Sequence, residues 1–276
     1  MTVRTALVQG TQLLEDDAAI PVPRLTAEVL LAHALRCERV YLFGHPEHEL
    51  SELEWLHYGR YLHERLQHKP TQYITGRQEF YGREFRVTPD VLIPRPETEH
   101  LVEAALRFAG GSSRLLDVGC GSGILAVTLQ LETGAAAWAS DISPAALAVA
   151  ARNAQRLGVP VSLVACDLMS AFASRSMDLI VSNPPYVPLS EEAGLQREVR
   201  DWEPRQALFG GPTGFEIYER LVNDAARVLH PGGWLMMELG YSSQEGVAAM
   251  LSGRWREVQW IPDLAGIPRV VAAALG

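Results

Sequence analysis

The chain has little cysteine, no excess of positive charge and no long apolar run, and each shortage excludes a class of protein. The three cysteines among 276 residues are too scattered for a disulfide framework or a cysteine metal site. Acidic residues outnumber Lys and Arg by 33 to 24, which argues against a protein that grips long stretches of nucleic acid. We see no leader peptide and no run near the ~18 apolar residues of a membrane span, so we expect a soluble cytoplasmic protein that binds neither membrane nor nucleic acid stably.

The first 76 residues are predicted to form a small helical bundle. Apolar residues recur at helical spacing in 24–36 and 51–68, and Ser51 with Glu54 matches the pattern of a capping box. In the second of these helices we expect one buried face, formed by Leu53, Trp55, Leu56, Tyr58, Leu62 and Leu66. Several histidines lie here without a second set of ligands beside them, so no metal is expected.

Residues 77–93 are predicted to be a β-hairpin linker that turns at Gly82, and residues 94–276 a separate domain. In that domain short apolar strands alternate with helices, including a helix over 215–230 that we expect Pro231-Gly232-Gly233 to close. Alternation of this kind indicates an α/β fold with a mostly parallel sheet covered by helices on both faces. Residues 258–275 are predicted to add an antiparallel C-terminal hairpin.

A glycine loop follows the first strand of this domain. Gly119, Gly121 and Gly123 stand between a strand and a helix, and Asp141 ends the next strand, 18 positions after Gly123. In such folds the glycines let a ligand approach the backbone, and the acid accepts the hydroxyls of a ribose. The spacing G-x-G-x-G, preceded by Asp117, resembles the S-adenosylmethionine (AdoMet) loop of class I methyltransferases, which are Rossmann-like, rather than a dinucleotide loop. A structural turn without a ligand is the alternative.

Three further residues near this loop are candidates for the same site. Cys120 and Ser122 lie inside the loop, and we interpret Cys120 as a small side chain that fits a tight turn. Asp167 follows the third strand, where a carboxylate either holds the amine of a nucleobase or caps a helix.

The segment Asn183-Pro184-Pro185-Tyr186, the NPPY segment, ends the fourth strand and therefore faces the same edge of the sheet as the glycine loop. It matches the D/N-P-P-Y/F signature of methyltransferases that modify a planar, conjugated nitrogen. An amide oxygen and a backbone carbonyl can accept the two N–H groups of such a nitrogen, and the aromatic ring can stack on its plane. A stiff turn is the alternative. The segment alone leaves adenine N6, cytosine N4 and a glutamine amide open as targets.

Five segments in order resemble the bacterial protein-(glutamine-N5) methyltransferases that act on peptide chain release factors, the PrmC/HemK family. They are "LIPRPETE" (92–99), "DVGCGSGILA" (117–126), "NPPYV" (183–187), "EPRQALFGGPTGFEIYERL" (203–221) and "PGGWLMMELG" (231–240). The similarity runs from about Leu25 to the C-terminus.

The resemblance implies AdoMet as cofactor, S-adenosylhomocysteine as product and a release factor as protein substrate, docked by the N-terminal helices. It implies cofactor contacts at Gly119 to Gly123, Asp141, Leu168 and Asn183. It further implies that Asn183, Pro184, Pro185 and Tyr186 hold the substrate glutamine. The family often has an aromatic where this chain has Leu168, which weakens the expected stacking on adenine.

The resemblance also directs attention to residues outside the glycine loop and the NPPY segment. Thr98 and Glu97 are candidates for the methionine end of AdoMet, or they cap a helix. Arg95 is expected to pair with an acid, and Glu203 and Arg205 either line the glutamine channel or brace a loop. Arg269 is interpreted as structural.

Three other functions stay open at this point. They are a ribosomal-protein glutamine methyltransferase, an N6-adenine methyltransferase of nucleic acid, and a binding module without catalysis. We expect a monomer.

Overall fold

The computed structural model describes residues 1–111 and 113–276, which form two compact units. Unit 1 comprises Met1–Arg77 together with Leu195–Trp202. Unit 2 comprises Gln78–Gly194 and Glu203–Gly276. The predicted assignment of roles to residues 1–76, 77–93 and 94–276 stays a prediction.

Unit 1 is a set of helices around one apolar core. Its helices are α1 (Val3–Glu15), α2 (Pro23–Leu35), α3 (Arg39–Gly44), α4 (Glu52–Leu66), α5 (Thr71–Thr75) and α9 (Arg197–Trp202). The predicted capping box is confirmed: Ser51 Oγ accepts from the Glu54 N–H, and the Glu54 carboxylate accepts from the Ser51 N–H at 2.8 Å. The short α9 joins this unit through Glu198, whose carboxylate lies 2.7 Å from the buried Arg65 guanidinium.

The predicted buried face of α4 is only partly correct. Tyr58 and Leu62 lie in the core, but Leu53 and Leu56 are 61% and 67% exposed. Helical spacing shows which residues share a face, but it does not show which part of that face is covered, and these two residues on the early turns of α4 are not covered. Most other members of this core come from α1 and α2, which the sequence pattern of α4 does not report.

A close approach between α1 and α4 depends on a glycine. Gly10 lies in the middle of α1, and a Cβ at this position would overlap the hydroxyl of the fully buried Tyr58. Within the described part of the chain that hydroxyl has no hydrogen-bond partner. Glycine is therefore required here by packing, although it is a poor helix former.

We expect Gly10→Ala to destabilise the protein by about 1 to 3 kcal/mol, because overpacking outweighs the gain in helix propensity. Tyr58→Phe removes the closest clashing atom and leaves the ring carbon Cζ 2.8 Å from the added Cβ, so the double variant Gly10→Ala/Tyr58→Phe should recover part of the loss. Urea denaturation of the four proteins measures this. If Gly10→Ala lowered the free energy of unfolding by the same amount in the Tyr58→Phe background as in wild type, the packing explanation would be contradicted.

Unit 2 contains the alternating strands and helices. Its strands are β1 (Arg77–Phe80), which begins at the last residue of unit 1, β2 (Arg83–Arg86), β3 (Arg114–Val118), β4 (Ala136–Asp141), β5 (Val161–Ala165), β6 (Met177–Ser182), β7 (Val187–Pro188), β8 (Phe209–Gly211), β9 (Leu229–Glu238), β10 (Trp255–Pro262) and β11 (Pro268–Leu275). Its helices are α6 (Glu99–Ala105), α7 (Ile124–Thr133), α8 (Pro144–Leu157), α10 (Arg205–Leu208), α11 (Glu216–Val228) and α12 (Gln244–Met250), with 3₁₀ turns at Pro96–Thr98 and Leu189–Gly194.

Seven strands form one sheet in the order β10-β11-β9-β6-β3-β4-β5. The strands from β9 to β5 are parallel, and β11 and β10 add an antiparallel pair, as predicted. Both faces are buried: Leu115 and Leu179 pack in one core, and Leu116 and Ile180 in the other. The chain order reverses on either side of β3, so the carboxyl ends of β3, β4 and β6 meet where ligands bind in such sheets.

Two further predictions concern turns. The hairpin at Gly82 is confirmed, with Tyr81 and Gly82 between β1 and β2. The predicted helix stop at Pro231-Gly232-Gly233 is wrong, because α11 ends at Val228 and these residues lie inside β9. None of the described helices combines the length and apolarity needed to cross a bilayer.

Candidate active site

A cavity of about 310 Å³ opens in unit 2 at the carboxyl ends of the parallel strands. The sequence-predicted site residues that line it are Thr98, Asp117, Gly119, Cys120, Gly121, Ser122, Asp141, Asp167, Leu168, Asn183 and Pro185. Arg95 lines the cavity as well. The lining does not include the other candidates, which are Glu97, Gly123, Pro184, Tyr186, Glu203 and Arg205. The structure therefore brings the glycine loop and the NPPY segment to one cavity, as the order of strands requires.

The glycine loop (119–123) is held by the strand next to it. The N–H groups of Gly119 and Cys120 both donate to the Ser140 carbonyl, at 2.8 and 2.9 Å. Gly123 has φ +80° at the start of α7, and a Cβ there would lie 3.0 Å from the Ala150 side chain. Left-handed backbone and the contact with α8 together explain why glycine stands at this position.

Asp141 is fixed by two backbone donors. Its Oδ2 accepts from the Gly121 N–H at 2.9 Å, and its Oδ1 accepts from the Ser143 N–H at 2.8 Å. A carboxylate offers about four lone-pair sites, so further acceptor capacity remains toward the cavity. This is the arrangement that suits a pair of ligand hydroxyls.

Asp117 is buried behind the loop. Its Oδ2 accepts from the Ala126 N–H of α7 at 3.0 Å, while its Oδ1 has no hydrogen-bond partner among the described residues. Burial raises the pKa of Asp117 to about 7, and the Ala126 N–H only partly opposes that rise. An unpartnered carboxylate oxygen at a cavity is suited to a ligand with an N–H donor or a positive charge.

Because the pKa of Asp117 is raised in the folded protein, its contribution to stability depends on pH. The unfolded chain binds this proton only below about pH 4, so between about pH 4 and 7 the folded state holds more protons. The contribution of Asp117 is therefore fully present at low pH and declines as the pH rises to about 7. We expect the stability of Asp117→Asn relative to wild type to increase by more than about 1 kcal/mol between pH 4 and pH 8.

Urea denaturation of the ligand-free protein across this pH range measures that difference. Asp16→Asn, at an exposed position after α1, is the matched control and should show no such trend. A constant difference between Asp117→Asn and wild type at all pH values would contradict the assignment.

Asp167 and Leu168 line the side of the cavity beyond Asp141. The Asp167 carboxylate lies 2.6 Å from the Arg220 guanidinium of α11. Leu168 has φ +47°, and its carbonyl accepts from the Ser140 hydroxyl at 2.9 Å. The hydrogen bond from Ser140 offsets part of the strain of a left-handed leucine.

The NPPY segment begins with a linked set of polar groups. Asn183 Nδ2 donates to Thr98 Oγ1 at 3.1 Å, and Thr98 Oγ1 donates to Glu238 Oε2 at 2.6 Å. Thr98 is fully buried and Glu238 is 3% exposed. Burial raises the pKa of Glu238 to about 7, while the hydrogen bond from Thr98 lowers it.

Two glycines pack closely against the rest of the NPPY segment. A Cβ at Gly210 would lie 2.6 Å from the Pro185 carbonyl, and one at Gly240 would lie 2.9 Å from the Tyr186 ring. Burial raises the pKa of Tyr186 to about 12, so its hydroxyl stays protonated at neutral pH. These contacts give a packing reason for glycine at both positions.

Four charged candidates outside the glycine loop and the NPPY segment are ion-paired, namely Arg95, Glu203, Arg205 and Arg269. Glu203 is buried, lies 2.5 Å from the Arg95 guanidinium and accepts from the Ile93 N–H. Glu203 therefore links its own loop to the segment that contains Ile93 and Arg95, and it is not among the cavity-lining residues. Arg205 is exposed and pairs with Glu192. Arg269 pairs with Asp263 at 3.0 Å, as expected for a structural role.

Two buried polar residues that support the site were not predicted. Glu238 is the last residue of β9, which lies beside β6. An acidic residue at the end of an apolar strand is the feature of the sequence that could have indicated it. Asn153, on α8, is fully buried, and its Nδ2 donates to the carbonyls of Ser122 and Arg86. A lone asparagine within a helix gave no sequence signal. Across residues 1–111 and 113–276, no cluster of three or more His, Cys, Asp or Glu side chains is placed to hold a metal ion.

Comparison with known families matches two segments of the chain. Residues 5–76 match the PrmC N-terminal domain, and residues 98–197 match the methyltransferase small domain. Solved structures support the fold of unit 2. A methyltransferase from Pyrococcus furiosus has a TM-score of 0.54 at 18% identity, with 77% of this chain and 96% of that chain covered. The 16S rRNA N2 G1207 methyltransferase of T. thermophilus, solved with AdoMet and guanosine, has a TM-score of 0.53 at 20% identity, with 72% and 50% covered.

Relatives of similar length extend the match to the whole chain. The release factor glutamine methyltransferase of Koribacter versatilis is 48% identical, with 98% of each chain covered. That of Nitratidesulfovibrio vulgaris is 41% identical, with 99% of this chain and 95% of the relative covered. That of Bacillus cereus is 33% identical over the full length of both. The chain belongs to the release factor glutamine methyltransferase family.

Proposed function

We propose that this protein transfers a methyl group from AdoMet to the side-chain amide nitrogen (N5) of a glutamine, that of the Gly-Gly-Gln motif of peptide chain release factors. One observation carries the proposal: a single cavity holds the glycine loop, the Asp141 carboxylate and the Asn183 amide. The family of the chain supports the choice of glutamine among planar nitrogens.

The residues present fit AdoMet. Asp141 has spare acceptor sites for the ribose hydroxyls, and Asp117 has an unpartnered oxygen suited to the ammonium group of the methionine end. Cβ atoms at Gly119 and Gly121 would meet nothing within 4 Å, so the loop leaves open space beside its backbone. Leu168 and Ile142 supply apolar surface for adenine. When bound, AdoMet supplies an electrophilic methyl group on a sulfonium sulfur and leaves S-adenosylhomocysteine as product.

The NPPY segment holds the nucleophile. Asn183 Oδ1 and the Pro184 carbonyl, which lies between the cavity-lining Asn183 and Pro185, would accept the two N–H groups of the glutamine amide and so fix the direction of the nitrogen. As the nitrogen forms its new bond it gains positive charge, and these two oxygens stabilise that charge. The prolines hold the carbonyl rigidly because they restrict the backbone.

The proton that the nitrogen loses goes to water. Tyr186 stays protonated at neutral pH, and Glu238 is occupied by the Thr98 hydroxyl. A strong base is not required, because an amide nitrogen that carries an added methyl and a positive charge is a strong acid. Tyr186 is therefore not the base, and its ring packs against Gly240 beside the NPPY segment.

Unit 1 is proposed to contact the release factor, since a separate helical unit is available for protein recognition and residues 5–76 match the PrmC N-terminal domain. Modification of release factors takes place where translation occurs, so we assign the activity to the cytoplasm.

Replacing residues 1–76 with the N-terminal part of a ribosomal-protein glutamine methyltransferase should reduce methylation of the release factor while AdoMet binding is kept.

A panel of substrates tests the function. The protein is incubated with labelled AdoMet and, in separate reactions, a release factor, a ribosomal-protein fraction and duplex DNA. We expect label in the release factor alone. Label in DNA adenine and none in protein would replace the proposal with the adenine methyltransferase, and label confined to the ribosomal fraction would replace the substrate.

A further inference from the structure

We propose that Glu238 is a positioning residue that fixes, through Thr98, which end of the Asn183 side-chain amide faces the substrate. The inference rests on the proposed function for its meaning in catalysis, but its structural part can be tested separately. The three groups come from different segments: the 3₁₀ turn Pro96–Thr98, the end of β6 and the end of β9. They meet because β6 and β9 are neighbouring parallel strands, with Ser182 opposite Met237.

The direction of the two hydrogen bonds follows from which of the three side chains carries a hydrogen that it can donate. An ionised carboxylate only accepts, so the single proton of the Thr98 hydroxyl is donated to Glu238 across 2.6 Å. The Thr98 oxygen then has only lone pairs to offer Asn183, 3.1 Å away. Asn183 must therefore turn its NH₂ group toward Thr98, and Oδ1 becomes the end that remains for a ligand in the cavity.

Burial enforces this direction as long as Glu238 is ionised. Thr98 is fully buried and Glu238 is 3% exposed, so water does not replace a broken bond at low cost. The two nearby guanidinium groups already have their own carboxylates, since Arg95 pairs with Glu203 and Arg269 with Asp263. The NH₂ group of Asn183, by donating to Thr98, also makes its own oxygen a better acceptor for the target N–H groups.

The same logic explains why position 183 carries an amide in this chain. Aspartate at this position would set a carboxylate oxygen against a Thr98 oxygen whose proton is already used. If Glu238 became glutamine as well, its NH₂ group would donate to Thr98, and Thr98 would then donate to the new carboxylate at position 183. The order of donors and acceptors would be reversed as a whole, with the same total charge.

This reversal defines a double-variant test with Asn183→Asp, Glu238→Gln and the two combined. In urea denaturation of the ligand-free proteins at pH 8, we expect Asn183→Asp to be destabilised and the combination to recover stability. The combined loss should be smaller than the sum of the single losses by a coupling that corresponds to about tenfold in the folding equilibrium constant. Glu245→Gln, which removes an exposed carboxylate after β9, is the matched control and should show no coupling with Asn183→Asp.

Activity gives the second measurement. Glu238→Gln alone should lower kcat, but less than Asn183→Asp does, because glutamine can turn either its carbonyl or its NH₂ group toward Thr98 and fixes the direction less firmly. Asn183→Asp should lower kcat strongly, and adding Glu238→Gln should restore at least about tenfold. Additive effects in both measurements would overturn the proposal. Coupling in stability with no methylation of any glutamine by wild type would keep the hydrogen-bond network and reject the proposed function.

The pH profile is a third measurement, because a protonated Glu238 could donate to Thr98 and allow the amide to turn around. Burial raises the pKa of this carboxyl to about 7. The titratable and charged groups that face it are Glu97, Arg95, Arg269, Tyr186 and Tyr218. We expect kcat to fall as the pH drops through about 7 in wild type and to lose this limb in Glu238→Gln. An unchanged limb in that variant would contradict the role of Glu238.

Discussion

Replacing Asn183 with alanine is expected to reduce kcat for glutamine methylation on the order of 100- to 1000-fold, the loss typical of one transition-state hydrogen-bonding group. The amide oxygen that holds the target nitrogen is removed, while Thr98 keeps its bond to Glu238. The free energy of unfolding should change by only about 1 kcal/mol, because a single hydrogen bond to Thr98 is lost. Steady-state kinetics with a release factor, together with urea denaturation, measures both quantities.

The matched control is Asn223→Ala, which removes an exposed amide from α11. It should leave kcat at the wild-type value. Near-normal turnover in Asn183→Ala, with the fold intact, would contradict the role given to the NPPY segment.

Replacing Asp141 with alanine is expected to weaken AdoMet binding on the order of 100-fold, because two charge-assisted hydrogen bonds to the ribose would be lost. The same substitution leaves the N–H groups of Gly121 and Ser143 without their acceptor, so the loop also loses support. Isothermal titration with AdoMet measures the Kd, and circular dichroism checks the fold.

Asp141→Asn separates the two effects, since an amide oxygen can still accept from one backbone donor. We expect an intermediate Kd for this variant with a fold close to wild type. Asp16→Ala, on unit 1, serves as the control. Wild-type affinity in both Asp141 variants would show that the ribose is held elsewhere.

Most of the site residues that the sequence predicted lie in two short continuous segments. In the glycine loop and the NPPY segment, a few neighbouring residues carry both the backbone restriction and the chemistry. Asp141 could be predicted because it lies one helix and one strand further along the chain. The alternation of strands and helices then placed all three at one edge of the sheet.

The parts that the sequence did not predict depend on strand order and packing. Thr98 and Glu238 are 140 positions apart and meet only because β9 pairs with β6. Leu195–Trp202 belongs to unit 1 although unit 2 residues flank it, and its tie to Arg65 has no local signal. Tyr186 was expected beside the substrate, yet it is absent from the residues that line the cavity and contacts Gly240.

The central claim is tested most directly by locating the methyl group. A release factor is incubated with AdoMet and the protein, digested, and its Gly-Gly-Gln peptide is sequenced by tandem mass spectrometry. A matched release factor with alanine in place of that glutamine is treated in the same way. The account predicts one added methyl on the glutamine amide and none in the alanine variant, whereas a methyl elsewhere, or an unmodified glutamine after full reaction, would contradict it.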